Sequence, residues 1–244
     1  MTHGGQHRGE TRANPLRLFP NADLMARMVA AEIADHLEGA VDERGWATVA
    51  AAGGQTPRAT YGYLARLPIS WRRILLTLTD ERFVASDPLD SNEQMLRETL
   101  LRHRAAEATF FPLTRGPAPR AAGPCRPMGL PASAQWTDDL VLLGMGENGH
   151  VASLFAGGQT SGEGLQIDGD KRCVSVPASR NSSAHPGVSL TLSTIAGARR
   201  VILAITGRAK RRTIERALSG DPRHAMPVSA VLRYTRNMSV VWAP

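Results

Sequence analysis

Lysine is nearly missing from this 244-residue chain. Lys171 and Lys210 are the only lysines among 29 basic residues, so arginine carries the formal charge of +7 and the pI near 10.4. That balance attracts nucleic acid, a membrane surface or a small anion. Aromatic residues are scarce as well, at 5%. This leaves no stacking platform for single strands, and no nucleic-acid-binding motif is present, so nucleic acid is not expected as a partner. Cysteine is limited to Cys125 and Cys173, whose spacing fits neither a metal site nor a redox pair. Two reduced thiols in a cytoplasmic protein is the reading this supports. No apolar run has the length of a membrane span, so no membrane partner is expected. Residues Met1 to Asn14 are polar and lack the apolar centre of a signal peptide. They are expected to be a disordered tail in front of a single domain, 15–244.

Apolar residues make up 42% of the chain, enough for a sizeable core. Leu16 to Phe19 reads as a first strand. Asn21 or Asp23 caps the helix behind it, where Met25, Val29, Ile33 and Leu37 form one apolar face. Gly39 lies near that helix's expected end. Trp46 to Ala52 is a second strand and runs into Gly53-Gly54-Gln55-Thr56-Pro57. Thr56 has the chemistry of an N-cap and Pro57 that of a first helical position, with the helix reaching about Leu67. A strand, a glycine pair, a hydroxyl and a helix start together form a cradle for phosphate.

Ile74 to Leu78 is the third strand and ends in Thr79-Asp80-Glu81-Arg82. Arg82 can hold a phosphate or polarise a carbonyl. Asp80 can orient a histidine or a hydroxyl, and Glu81 reads as part of a solvated cluster. Ser91-Asn92-Glu93-Gln94 has the pattern of a capping box, a structural role for Ser91. Met95, Leu96, Thr99 and Leu100 mark the helix it opens, and Thr109 to Pro112 a fourth strand. Arg115 to Ala134 holds five prolines and three glycines and is expected to be an irregular loop. Glycine-rich Gln159 to Lys171 reads as mobile. Arg172–Pro177, Val188–Ser193, Arg200–Thr206 and Met238–Trp242 read as strands, and Pro227–Leu232 as a short helix. Gly207 opens a helix to about Leu218. Lys210 sits in its first turn, where a cation opposes the helix dipole unless it faces an anion. Alternating strands and helices predict an α/β fold, a mainly parallel sheet with helices on both faces.

The chain is organised around the stretch from Leu140 to Phe155. Asp138 and Asp139 lead into Leu140–Leu143, short and apolar enough for a buried parallel strand. Gly144, Gly146 and Gly149 follow. His150 then stands just past the strand's carboxyl end, where open α/β sheets bind ligands. A histidine there can do acid–base work near neutral pH.

The string from Gly144 to Gly157 resembles the signature of 6-phosphogluconolactonases, with Asn148 in place of an aspartate, Val151 of a threonine and Ala156 of a proline. Gly53-Gly54-Gln55-Thr56-Pro57, then Asp80-Glu81-Arg82-Phe83-Val84 with Ser91-Asn92, and Gly207-Arg208-Ala209-Lys210 resemble further stretches of that family, in order. The likeness runs from about Leu16 to Trp242. It implies the Rossmann-like fold shared with glucosamine-6-phosphate deaminases and ribose-5-phosphate isomerases. It also implies hydrolysis of 6-phospho-D-glucono-1,5-lactone to 6-phosphogluconate in the oxidative pentose phosphate pathway, with neither cofactor nor metal. On this likeness His150 is the general base, with Arg82, Asn148 and Asp80 beside it. Gly53, Gly54, Thr56, Arg82, Ser91, Asn92 and Lys210 bind the phosphorylated substrate. The expected partner is that lactone, met by a monomer or a homodimer in the cytoplasm.

The chain departs from the family pattern where an arginine is usual and Gly187 stands, with Arg180 or His185 as the substitutes at hand. An amino-sugar phosphate deaminase or isomerase is the nearest rival. It would carry a glutamate five residues after the motif histidine, where this chain has Phe155, and a D-E-Y-like string where this chain has Asp80-Glu81-Arg82. A non-catalytic sugar-phosphate-binding protein is the reading that Asn148 leaves open.

Overall fold

The computed structural model describes residues 16–84, 90–113, 138–157, 160–179, 185–221 and 224–244. The expected tail, the Arg115–Ala134 loop, Cys125 and Arg180 lie outside the described residues.

Seven parallel strands form the main sheet: β1 (Leu16–Leu18), β2 (Ala47–Ala51), β3 (Ile74–Leu78), β5 (Thr109–Phe110), β6 (Leu140–Leu143), β9 (Arg200–Thr206) and β10 (Met238–Ala243). Their order across the sheet is β1-β10-β9-β6-β2-β3-β5. Alternation along each strand splits the core between the two faces. On β6, Leu140 and Leu142 face α1 (Ala22–Arg44), while Val141 and Leu143 face α6 (Arg208–Leu218) and α7 (Pro227–Tyr234). Met25, Val29, Ile33 and Leu37 of α1 fill the first layer; Ile214, Val228 and Val231 fill the second. Each such buried side chain contributes about 1.5–3 kcal/mol relative to leaving it in water.

Helix α1 starts where Asn21 accepts a hydrogen bond from the Leu24 N–H at 2.8 Å. It does not stop near Gly39. It runs on to Arg44 and ends at Gly45, whose φ of 79° closes the last turn. Buried Leu37 and Ala40 extend the apolar face past Gly39, and that packing outweighs the ~0.5–1 kcal/mol that a glycine costs inside a helix.

A second, antiparallel sheet joins β4 (Asp80–Arg82), β8 (Gly187–Leu190) and β7 (Cys173–Val176), in that order. Asp80–Arg82 is thus a strand in its own right, not only a charged strand end. The expected strand Val188–Ser193 stops at Leu190. Thr191 then caps α5 (Leu192–Ala196) by accepting from the Thr194 N–H at 3.3 Å. The stretch read as mobile between Gln159 and Lys171 contains α4 (Thr160–Glu163), and the Gly164 carbonyl accepts from the Leu192 N–H at 2.8 Å.

Candidate active site

Strand order reverses at the centre of the main sheet. From β2 the chain moves to β3 on one side; from β9 it moves to β10 on the other, with β6 between. Loops leaving the carboxyl ends of these strands diverge there and leave a crevice. A cleft of about 190 Å³ lies at that place. His150, Lys210, Arg82, Asp80 and Asn92 line it together with Gly53–Pro57 and Gly144–Gly146. Four separated stretches of sequence therefore meet in one cavity.

His150 is held by its own loop. The Gly146 N–H donates to the His150 carbonyl at 3.0 Å, and the Gly149 N–H donates to the Gly146 carbonyl at 3.0 Å. A Cβ on Gly146 would stand 2.1 Å from the imidazole, so only glycine lets the ring lie over this turn. Asn148 Oδ1 accepts from the His150 backbone N–H at 3.2 Å and lies 2.5 Å from His150 Nδ1. A backbone N–H can only donate, which identifies the Asn148 atom as the oxygen. Nδ1 of the neutral ring therefore carries the proton, and Nε2 holds the basic lone pair. Phe155 packs on the ring with centroids 4.5 Å apart. Burial lowers the His150 pKa below that of an ordinary histidine; the charge of Asp80 opposes this, while Lys210 and Arg82 add to it.

Asp80 orients hydroxyls rather than the histidine. Its carboxylate accepts from Thr79 Oγ1 at 3.0 Å and from Ser153 Oγ at 2.7 Å. Ser153 in turn receives the Ser189 hydroxyl oxygen as acceptor for its N–H at 3.1 Å, which ties the histidine loop to β8. Glu81 is not solvated. It is 4% exposed and accepts from the N–H groups of Arg82, Asn92 and Glu93 and from the Ser91 hydroxyl, at 2.7–3.1 Å. Burial raises its pKa, and those donors pull it back. The carboxylate thereby caps α3 (Asn92–Thr99) at the positive end of the helix dipole.

Two further helices start beside the cleft, one lining it with its first turn and the other contributing Lys210 to it. Helix α2 (Gln55–Leu64) starts after Gly54 and α6 after Gly207. Thr56 is inside α2, not its cap; its hydroxyl meets that of Thr206 at 3.1 Å and joins the two loops. Pro57 is the third helical residue. Neither helix has a side-chain cap or an acidic residue in its first turn, whereas α1 and α3 have both. Uncapped first-turn N–H groups leave donors for an anion. Lys210 lines the same space.

Among the residues expected to bind substrate, Gly53, Gly54, Thr56, Arg82, Asn92 and Lys210 line the cleft. Ser91 does not line it: its hydroxyl accepts from the Gln94 N–H at 3.1 Å and donates to Glu81. Asn148 is exposed and reaches the cleft through His150. At Gly187, opposite Arg82 in the ladder, a Cβ would stand 2.3 Å from the Glu81 carbonyl oxygen. At this strand spacing position 187 has no room for a side chain, so the arginine expected there from the resemblance has no counterpart at this point of β8. His185, the substitute inside the described residues, pairs with Asp90 at 3.1 Å. Ser153, Thr79 and Phe155 escaped the sequence reading as site residues. Two of them lie in the motif string, but nothing local tells which of its side chains turn inward.

The family of glucosamine-6-phosphate isomerases/6-phosphogluconolactonase matches residues 20–242. A 6-phosphogluconolactonase of Rhizobium meliloti (strain 1021) is 32% identical over 230 residues, covering 94% of this chain and 98% of that protein. One of Pseudomonas aeruginosa is 34% identical over 239 residues, covering 94% of each. The crystal structure of a 6-phosphogluconolactonase from Shewanella baltica OS155 superposes with a TM-score of 0.81 at 28% identity, covering 97% of this chain and all of that one.

Proposed function

The chain belongs to the family of glucosamine-6-phosphate isomerases and 6-phosphogluconolactonases, and from that premise we propose how its cleft hydrolyses 6-phospho-D-glucono-1,5-lactone. It is a hydrolase of the lactonase branch. His150 Nε2 takes a proton from water as the water oxygen attacks C1. Negative charge gathers on the carbonyl oxygen, where Arg82 and loop N–H groups stabilise it. The tetrahedral intermediate collapses, the bond from C1 to the ring oxygen breaks, and the imidazolium returns its proton to that oxygen. The product is the open 6-phosphogluconate. The phosphate lies between the amino ends of α2 and α6, against Lys210. Because this anion already has two helix ends and an ammonium, Arg82 is assigned to the carbonyl.

The observation that carries the reading is His150, its Nδ1 facing an acceptor and its ring lining the cleft with Lys210 and two uncapped helix ends. Burial keeps the ring neutral to lower pH than usual, the state a base needs. Phe155 argues against the deaminase: where such enzymes carry a glutamate, this chain places an aromatic wall on the base. Acid release from freshly prepared lactone, with spontaneous hydrolysis subtracted, tests the reading. Wild type is expected to hydrolyse the phosphorylated lactone well and its unphosphorylated counterpart poorly. His150→Ala is expected to lose about 10²-fold or more in kcat while staying folded. Wild-type protein without activity, rescued by Asn148→Asp, would establish the non-catalytic binding protein instead.

A further inference from the structure

Nothing in the loop's own sequence explains what holds Asn148, which is exposed and carries the histidine. Its neighbour Glu147 supplies the answer. The Glu147 carbonyl accepts a hydrogen bond at 2.7 Å from the hydroxyl of Thr213, a residue 2% exposed on the inner side of α6. Arg216 donates to the same hydroxyl oxygen at 3.3 Å, so the proton of Thr213 is directed to Glu147. One residue past Asn148, the Gly149 carbonyl accepts from the Val228 N–H at 3.0 Å at the start of α7, and Met226 lies over Gly149. A backbone carbonyl before Asn148 and one after it are thus tied to helices outside the loop.

Thr213 stands one turn beyond Lys210 on the same helix. Helix α6 therefore presents a cation to the cleft from its first turn and grips the base's loop from its second. A rigid helix sets the distance between those two points.

We propose that Thr213 is the positioning residue of this site: through the Glu147 carbonyl it fixes Asn148, and so selects the His150 tautomer that leaves Nε2 basic and sets its distance from the phosphate pocket. The inference rests on the lactonase reading for its kinetic consequence, but its structural consequence is independent of any activity. Removing a buried hydroxyl from a 2.7 Å bond leaves the Glu147 carbonyl without that donor and lets the loop relax. Asn148 then holds Nδ1 for only part of the time, and part of the histidine population carries its proton on Nε2, where it cannot act as base.

The variants Thr213→Val and Thr213→Ser separate the possibilities. Valine keeps the shape and loses the hydroxyl; serine keeps the hydroxyl. We expect Thr213→Val to lower kcat about tenfold with KM within about twofold of wild type, and Thr213→Ser to restore most of it. The 15N shifts of the His150 ring at pH above its titration are expected to show the Nδ1–H form in wild type and serine variant, and a mixture in the valine variant. A valine variant with wild-type kcat per folded molecule and an unmixed Nδ1–H ring overturns the proposal, whatever its thermal stability. If all three proteins prove inactive, the lactonase reading fails alone, and the ring shifts still decide on Thr213: a mixture in valine only supports it, identical spectra overturn it.

Discussion

Two pairs of acidic residues lie at opposite ends of the main sheet and are handled in opposite ways. Asp138 and Asp139, at the amino end of β6, are neutralised by arginine. Asp139 pairs with Arg44 at 2.6 Å and Arg199 at 3.3 Å, and Asp138 with Arg172 at 2.7 Å. Asp80 and Glu81, at the carboxyl end of β3, are buried as well. Among the described residues no cation pairs with either; hydroxyls and backbone N–H groups satisfy both. The difference teaches what each end is for. Guanidinium partners lock the end that only has to hold together. Neutral donors at the other end satisfy two carboxylates without an ion pair to Arg82 or Lys210, both of which line the cleft, Arg82 donating through Nη1 to the Asp90 carbonyl at 2.5 Å. The residual field of Asp80 then reaches His150 and partly offsets the effect of burial on it.

The comparison breaks most visibly at Asp139. Asp139→Ala removes the buried acceptor shared by Arg44, Arg199 and the Thr48 N–H, leaving Arg44 only the exposed Glu43, and is expected to cost about 3 kcal/mol in denaturant unfolding, with kcat per folded molecule unchanged. This is the low end for breaking a buried pair, because both arginines keep some water. A loss of activity without a loss of stability would put the amino end of the sheet into the mechanism and dissolve the contrast.

At the cleft end the expected losses are kinetic. Lys210→Ala is expected to raise KM for the phosphorylated lactone about tenfold, the loss of one charge-assisted contact of roughly 1.5–3 kcal/mol partly made up by the helix ends. Stability should barely change, since no ion pair with Lys210 is found among the described residues. An unchanged KM would remove Lys210 from the phosphate site.

The smallest and sharpest effects are on pH. Asp80 raises the His150 pKa by its charge, so Asp80→Asn should let that pKa fall further. The acidic limb of kcat/KM then moves to lower pH. Asn148→Asp works in reverse: a carboxylate at 2.5 Å from Nδ1 stabilises the imidazolium, and the acidic limb moves to higher pH with a modest change in maximal rate. Limbs that move together, or not at all, would show that another group controls the profile.

Much of the site was legible before any fold was known. His150, Lys210, Arg82 and the Gly53–Pro57 turn each stand at a junction of strand and helix, where local pattern marks the position and chemistry marks the interest. Glu81 misled because a charged residue after an apolar strand looks solvated; its donors come from Asn92 and Glu93, eleven and twelve residues on. Ser91 was legible as a cap, and the cap is where its hydroxyl is spent. Gly187 read as a missing phosphate ligand, whereas its place follows from how closely β8 approaches the Glu81 carbonyl. No property of residue 187 alone could show that.

What the sequence determined by itself is everything carried by period and by short-range chemistry: the parallel α/β architecture, the start and end of β9 and α6, and the residue types at each loop that lines the cleft. What only the tertiary structure decided is which of those groups share a partner. Asp80 meets Ser153 across 73 residues, Thr56 meets Thr206 across 150, and Thr213 meets Glu147 across 66. The physical reason is range. Helix and strand propensity act over a few residues, but a buried hydroxyl takes whichever acceptor the packed layers bring within 3 Å, and that acceptor is chosen by sheet order and not by neighbours in the chain.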